Sequence, residues 1–295
     1  MNNRLIMHVN YAEADYLQYK GKSVDDICRM AAECGYDGIE FRGEPPKQLT
    51  SDSVKEYMEA IAQGKKKYGL TDILFGIDLV DSASDDKEKR EKTIADAIEM
   101  AQLANDICGS TVCNGCGTIL RCPDETVPMS KVELCGSAAA TQEQWDLTVD
   151  AFQRFGKVAE TLGMKMGLET HFWYIHDLPE PTMKLINLID SPAIGVNMDF
   201  GNIVKFPKHP SLTDAIDIYG DKLYYVHLKN SLPVAGDRMA TAMSDGEINH
   251  REYLEKLKQI GFEGPIGLEA VRSGDKRWFA QQDVDYIKSV MADLK

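Results

Sequence analysis

Gly163-Met-Lys-Met-Gly-Leu-Glu169 combines a helix stop, a short turn and a strand that ends in a carboxylate. Gly163 stands where the preceding amphipathic segment needs a left-handed cap, and the residues after it form a short apolar strand. The same joint recurs at Gly35-Tyr-Asp-Gly-Ile-Glu40 and at Gly261-Phe-Glu-Gly-Pro-Ile-Gly-Leu-Glu269. Working outward from these joints, the strand–loop–helix pattern repeats along the whole chain. Eight strands are predicted: Leu5–Asn10, Gly38–Arg42, Asp72–Leu79, Ser110–Gly115, Lys165–Glu169, Ile194–Asp199, Leu223–Lys229 and Pro265–Ala270. The helices between them carry start signals at Ser23-Val-Asp-Asp26, at Thr141-Gln-Glu-Gln144 and at Asn249 with Glu252. In the fourth helix Trp145, Val149, Phe152, Phe155, Ala159 and Leu162 fall on one face. Short helix-to-strand joints and longer strand-to-helix loops, eight times over, predict an α/β fold: one (β/α)8 TIM barrel over residues 1–295, with no second domain. The longest connections, about Cys116–Ala140 and Asn230–His250, follow the fourth and seventh strands, on the face where barrel active sites form.

Composition narrows the function. The 295 residues carry 33 Lys+Arg against 47 Asp+Glu, a formal charge of −14. That balance argues against nucleic acid as a partner, because such binding is driven by phosphate neutralisation. With 43% hydrophobic and 27% charged residues, the chain is neither disordered, collagenous nor a coiled coil. No apolar run approaches the roughly 18 residues of a membrane helix, and Met1–Arg4 leads straight into a strand, so a cytoplasmic protein without a leader or membrane contact is expected. The seven cysteines, an odd number all in the first half, read as free thiols. Cys113-x-x-Cys116 with Cys122 and Cys135 is too irregularly spaced to favour a zinc or iron–sulfur site.

The strand ends carry the chemistry. The fifth strand ends in Glu169, the sixth in Asp199, the seventh carries His227 near its end, and the eighth ends in Glu269. Three carboxylates and an imidazole at similar height suit Mn²⁺, Mg²⁺, Co²⁺ or Zn²⁺. Without a cation the carboxylates would repel one another.

Gly167-Leu-Glu169-Thr-His171, Gly195-Val-Asn-Met-Asp199-Phe-Gly-Asn202, Val226-His227-Leu-Lys229-Asn230 and the run from Asp245 to Glu269 together resemble the sugar isomerase/epimerase family with the xylose-isomerase-like barrel. Its members include ketose 3-epimerases, hydroxypyruvate isomerase and inosose dehydratase. The likeness is strongest over residues 165–270, and Gly35–Phe41 fits the family's second strand. It implies a divalent metal, typically Mn²⁺, on Glu169, Asp199, His227 and Glu269, with Glu169 and Glu269 as the acid/base pair. The expected activity is proton abstraction next to a carbonyl of an unphosphorylated sugar or keto-sugar, giving isomerisation or epimerisation. The alternative is a lyase or dehydratase that shares the first step, including one that expels the aglycone of a 3-keto-glycoside.

Two departures point away from a plain ketohexose epimerase: Asn202 and Pro233 stand where those enzymes have a substrate-binding His and Arg. The sequence offers instead His171-Phe-Trp173-Tyr174-Ile-His176, with Arg42, Asn114 and Lys229 at other strand ends. His171 leaves the same strand as a ligand and faces the mouth by alternation, so it is read as catalytic. Arg42, Asn114, Trp173, His176, Asn202 and Lys229 are read as substrate-binding. His8 reads as a hydrogen-bonded core residue, and His209 and His250 as surface residues at helix starts. Arg272 with Ser273–Gly274 is a weak phosphate candidate. The expected partner is a small-molecule sugar or glycoside, with room for a second copy or a partner subunit.

Overall fold

The computed structural model describes residues 1–13, 21–43, 54–235, 237–269 and 272–294. Eight strands close into a barrel in the order β1-β10-β7-β6-β5-β4-β3-β2. They are β1 (Leu5–His8), β2 (Gly38–Arg42), β3 (Asp72–Gly76), β4 (Val112–Gly115), β5 (Lys165–Glu169), β6 (Ile194–Asp199), β7 (Leu223–Leu228) and β10 (Ile266–Leu268). Parallel registers such as Met166↔Ile194 between β5 and β6, and Gly267↔His227 between β10 and β7, set the heights of the strand ends. The helices are α1 (Val24–Cys34), α2 (Val54–Tyr68), α3 (Lys87–Cys108), α4 (Gln142–Leu162), α5 (Pro179–Ile189), α6 (Phe200–Ile203), α7 (Leu212–Tyr219), α8 (His250–Gln259) and α9 (Lys276–Asp293). None of them is long and apolar enough to cross a membrane. By internal packing the chain falls into two compact units. One comprises Met1–Phe75, Leu103–Ser110 and Val226–Lys295, and the other Gly76–Gln102 and Thr111–Tyr225.

Local chemistry explains the elements. Ser23 and Thr141 each close a reciprocal capping box, with Asp26 and Gln144 respectively, and Asn249 accepts the amides of Arg251 and Glu252. Gly35 and Gly163 end their helices at φ 87° and 63°, a conformation that a side chain would strain. Along α4 the buried face is Trp145, Thr148, Ala151, Phe152, Phe155, Gly156 and Ala159, whereas Val149 and Leu162 are only half-buried at its margin. Gly167 lets β5 and β6 approach closely, since a Cβ there would lie 2.9 Å from the amide nitrogen of Asn197.

Three strands keep their expected bounds, and five are shorter. β1 stops at His8 because Val9–Tyr11 turns into a 3-10 helix. β3 stops at Gly76, β4 begins at Val112, β7 ends at Leu228, and β10 is confined to Ile266–Leu268. Ala270, the expected end of the last strand, lies outside the described residues. The connection after β7 is not a plain loop: β8 (Ser231–Val234) and β9 (Asp237–Ala240) pair as an antiparallel hairpin. The long connection after β4 holds two 3-10 turns, Val132–Leu134 and Gly136–Ala138.

Candidate metal and sugar site

β5 and β6 deliver Glu169 and Asp199 as their last residues, β7 delivers His227 one residue before its end, and Glu269 follows β10 directly. One ligand atom from each of these four residues lies within 4.8 Å of the other three. Glu169, Asp199 and His227 are buried, and the Glu269 side chain is 16% exposed. The donor set fits a hard or borderline divalent cation, because three carboxylates packed this closely are costly unless a positive charge compensates them. Among the described residues this is the group of acidic, His or Cys side chains able to hold a metal ion, and all seven cysteines are free thiols.

The carboxylate of Glu169 is held by amides. Asn114 Nδ2 donates to Oε2 at 2.8 Å, and Asn202 Nδ2 donates to Oε1 at 3.1 Å. Asn197 Nδ2 donates in turn to Asn114 Oδ1 at 2.9 Å, which orients that amide. Cys116 Sγ lies 3.8 Å from Glu169 Oε2. Asp199 also caps the short α6, its Oδ1 accepting the Asn202 N–H at 3.2 Å. Glu269 has a charged partner instead: Lys229 Nζ donates to Oε2 at 3.0 Å, and Asn10 Nδ2 to Oε1 at 3.4 Å. His227 Nδ1 faces Glu269 Oε2 at 3.8 Å, while its Nε2 contacts Glu40 Oε2 at 2.7 Å.

The remaining expected site residues divide. Asn114, Asn202 and Lys229 contact the ligand carboxylates. Arg42 is engaged by Glu13, with Nε and Nη2 each donating at 2.9 Å to a carboxylate that is itself buried. His176 is fully buried: Nδ1 contacts the Glu169 carbonyl at 2.6 Å, and the ring stacks on Tyr174. Burial also holds its pKa down at about 4, so it is a neutral prop behind β5. His171 is half-buried, stacked on Phe172 at 4.1 Å with Nδ1 2.7 Å from the Phe172 carbonyl.

The aromatic run is largely architectural. Phe172 joins Val132 and Phe206 in a buried cluster, with Trp173 and Leu178 packed against it. Trp173 adopts φ 81°, unusual for a bulky residue, and is held there by its indole N–H donating to the Met129 carbonyl at 2.9 Å and its own carbonyl accepting from Leu120. Arg272 pairs with buried Asp283 and stacks on Phe279, so the weak phosphate candidate has its guanidinium committed elsewhere. His209 is exposed as expected, but His250 is not. It begins α8 with its ring turned inward, buried and stacked on Tyr253, because the helix start docks on the core.

Four residues at the site were not assigned from sequence: Glu40, His8, Asn10 and Asn197. Glu40 had a visible signal, as the carboxylate ending the repeated joint at 35–40. His8 is buried beside Glu40, its Nδ1 accepting the Asn10 N–H, with desolvation lowering its pKa. Asn10 and Asn197 had no local signal.

Comparison with known proteins places the chain. The profile of the xylose isomerase-like TIM barrel family matches residues 28–290, and the chain belongs to that family. Curated relatives cover less. An uncharacterized protein of Methanocaldococcus jannaschii is 28% identical over 116 residues, 38% of this chain and 39% of the relative. An inosose dehydratase of Clostridium beijerinckii is 24% identical over 144 residues, 44% and 48% of the two chains. The chain thus spans about half or less of the curated relatives it matches. Among solved structures, a xylose isomerase-like TIM barrel protein from Mycobacterium smegmatis in complex with magnesium superposes with TM-score 0.74 at 21% identity, over 99% of this chain and 97% of that one. At that identity the likeness establishes the fold.

Proposed function

We propose that this protein is a divalent-metal-dependent enzyme that removes a proton next to a carbonyl of an unphosphorylated sugar or keto-sugar, and returns it in an isomerisation or epimerisation. The observation that carries this reading is the convergence of Glu169, Asp199, His227 and Glu269 within 4.8 Å, two of them glutamates available as bases. Mn²⁺ is the expected ion, with Mg²⁺, Co²⁺ or Zn²⁺ compatible, and the magnesium complex of the Mycobacterium smegmatis protein supports a hard cation. When bound, the ion would polarise the substrate carbonyl and stabilise the negative charge left by proton removal.

The chain's own residues do the rest. Glu169, held on both oxygens by Asn114 and Asn202, is an oriented base. Glu269, beside Lys229, is placed to return a proton. Arg42, Lys229 and Arg272 each face a carboxylate, which supports a substrate without phosphate. The alternative, a lyase or dehydratase, is favoured by the inosose dehydratases among the relatives, and it extends to aglycone elimination from a 3-keto-glycoside. Elimination needs one base and an acid for the leaving group, and half-buried His171 is the acid candidate on this reading.

The test is a panel of sugars, inososes and 3-keto-glycosides incubated with Mn²⁺-loaded protein in D₂O and followed by NMR. Deuterium at the carbon next to the carbonyl, with an isomeric product, supports the first reading. A dehydrated product or released aglycone supports the second. No exchange with any carbonyl substrate, at a Mn²⁺ level that saturates the protein, overturns both.

A further inference from the structure

Glu40 is outside the ligand set, yet it is almost entirely buried, 1% exposed, and in contact with a ligand. Its Oε2 lies 2.7 Å from His227 Nε2, whose side chain is equally buried. A carboxylate accepts and an imidazole N–H donates, so this contact places the His227 proton on Nε2. The Nδ1 lone pair is then left facing Glu269 Oε2, 3.8 Å away, which is the side of the other ligands. The second imidazole on Glu40 is arranged to agree. His8 Nδ1 accepts the Asn10 backbone N–H at 3.1 Å, so the proton of neutral His8 is on Nε2, and that nitrogen lies 4.0 Å from Glu40 Oε1. The two rings meet edge to face at 5.8 Å. Glu40 is therefore hydrogen-bonded by His227 on one oxygen and faced, without a hydrogen bond, by His8 Nε2 on the other.

We propose that Glu40 is a positioning residue that selects the Nε2–H tautomer of His227 and fixes its ring, so that Nδ1 is presented as a cation ligand. This rests on the metal-site reading above and adds to it a residue that reaches the ion only through another. Outer partners of metal-bound histidines commonly contribute about 10- to 100-fold in metal affinity.

The experiment has two readouts that do not depend on turnover. Long-range ¹H–¹⁵N correlation on the metal-free protein reads the tautomer of His227, assigned by comparison with His227→Gln. Calorimetric titration with Mn²⁺ alone reads affinity. The wild-type protein is expected to hold His227 as Nε2–H. Glu40→Ala is expected to mix the tautomers and weaken Mn²⁺ about 10- to 100-fold. Glu40→Gln, whose amide oxygen still accepts from Nε2–H, should retain the tautomer and most of the affinity, and Glu40→Leu, which fills the volume but removes the acceptor, carries the test should the alanine variant fold poorly, with the same mixing and loss expected. In a His227→Gln background, Glu40→Ala should cost less than about twofold further. If wild-type protein binds no Mn²⁺, the metal-site reading fails. If it binds Mn²⁺ and Glu40→Ala or Glu40→Leu binds as tightly, the positioning role fails while the metal site stands. An Nδ1–H tautomer in the wild type, or an undiminished Glu40→Ala loss without His227, overturns the role as well.

Discussion

Around Glu169 the donors are uncharged, whereas around Glu269 the nearest donor is an ammonium. Asn114 and Asn202 grip the two oxygens of Glu169 in a buried setting, and Asn197 orients Asn114 from behind. Glu269 is held by Lys229, with the two side chains 16% and 20% exposed, and by a longer contact from Asn10. Amide donors orient the Glu169 carboxylate without bringing a positive charge to it. Lys229 instead sets an ammonium 3.0 Å from Glu269 Oε2. Two like residues in one cluster thus sit in different electrostatic settings, and the proposed separation of proton removal from proton return rests on that contrast.

The largest expected effect comes from removing either carboxylate. At saturating Mn²⁺, Glu169→Gln and Glu269→Gln should each lower turnover by on the order of 10²-fold or more. Under the lyase reading, one of the two should keep solvent deuterium exchange while losing product, and NMR in D₂O separates those outcomes. Wild-type rates in both metal-loaded variants would reduce the four residues to a structural metal site.

The amides come next. Asn114→Ala or Asn202→Ala leaves a buried oxygen of Glu169 short of a donor, at about 1–3 kcal/mol. For a chain of this size that is roughly a few degrees in melting temperature, read by calorimetry on metal-free protein. Lys229→Met should cost less stability, because its pair is partly solvated. It should instead tighten Mn²⁺ several-fold by removing a competing cation, with the gain shrinking as salt is raised. Equal destabilisation by Asn114→Ala and Lys229→Met, with unchanged Mn²⁺ affinity in the latter, would erase the contrast between the two glutamates.

The smallest expected effect is a near-cancellation remote from both. Burial pulls the His250 pKa down to about 4, so the unfolded chain takes up that proton first. Its contribution is complete above about pH 6.5 and drains away as pH falls towards 4. Asp177, whose Oδ2 accepts the Ser137 N–H, is pushed up to about 6 by burial. The folded chain keeps that proton longer, so this contribution is full below about pH 4 and is lost as pH rises through 6. The two slopes oppose each other, and their sum between pH 4 and 6 should stay within about 1 kcal/mol. His250→Phe and Asp177→Asn should each expose the other's slope in a melting series. Flat profiles in both variants would show that neither group titrates as its burial demands.

Much of this was legible locally. Capping residues at 23, 141 and 249 and the helix-ending glycines 35 and 163 act through bonds within a few residues, so they read directly from the chain. The clustering of Glu169, Asp199, His227 and Glu269 was legible because a strand-ending polar residue has few places to go in a barrel. What was not legible locally has a physical reason. Arg42 was read as substrate-binding, and its bidentate pairing with buried Glu13 has no signal in the chain. His250 was expected at the surface, but docking of α8 turns it inward. Trp173 was read as substrate-binding, and the connection after β4 supplies Met129 and Val132 to hold it, contacts no local pattern encodes.

The sequence by itself determined the repeating strand–helix unit, the barrel and the residues at its strand ends, because hydrophobic period, capping and alternation operate over a few residues. Only the tertiary structure decided which partner each of those residues meets. Glu40 and His227 are separated by 187 positions and Asn10 and Glu269 by 259, yet their side chains lie 2.7 Å and 3.4 Å apart. Contacts of that kind depend on how the strands close and at what register. No local pattern encodes the choice, and it is this choice that leaves Glu169 among amides and Glu269 beside an ammonium.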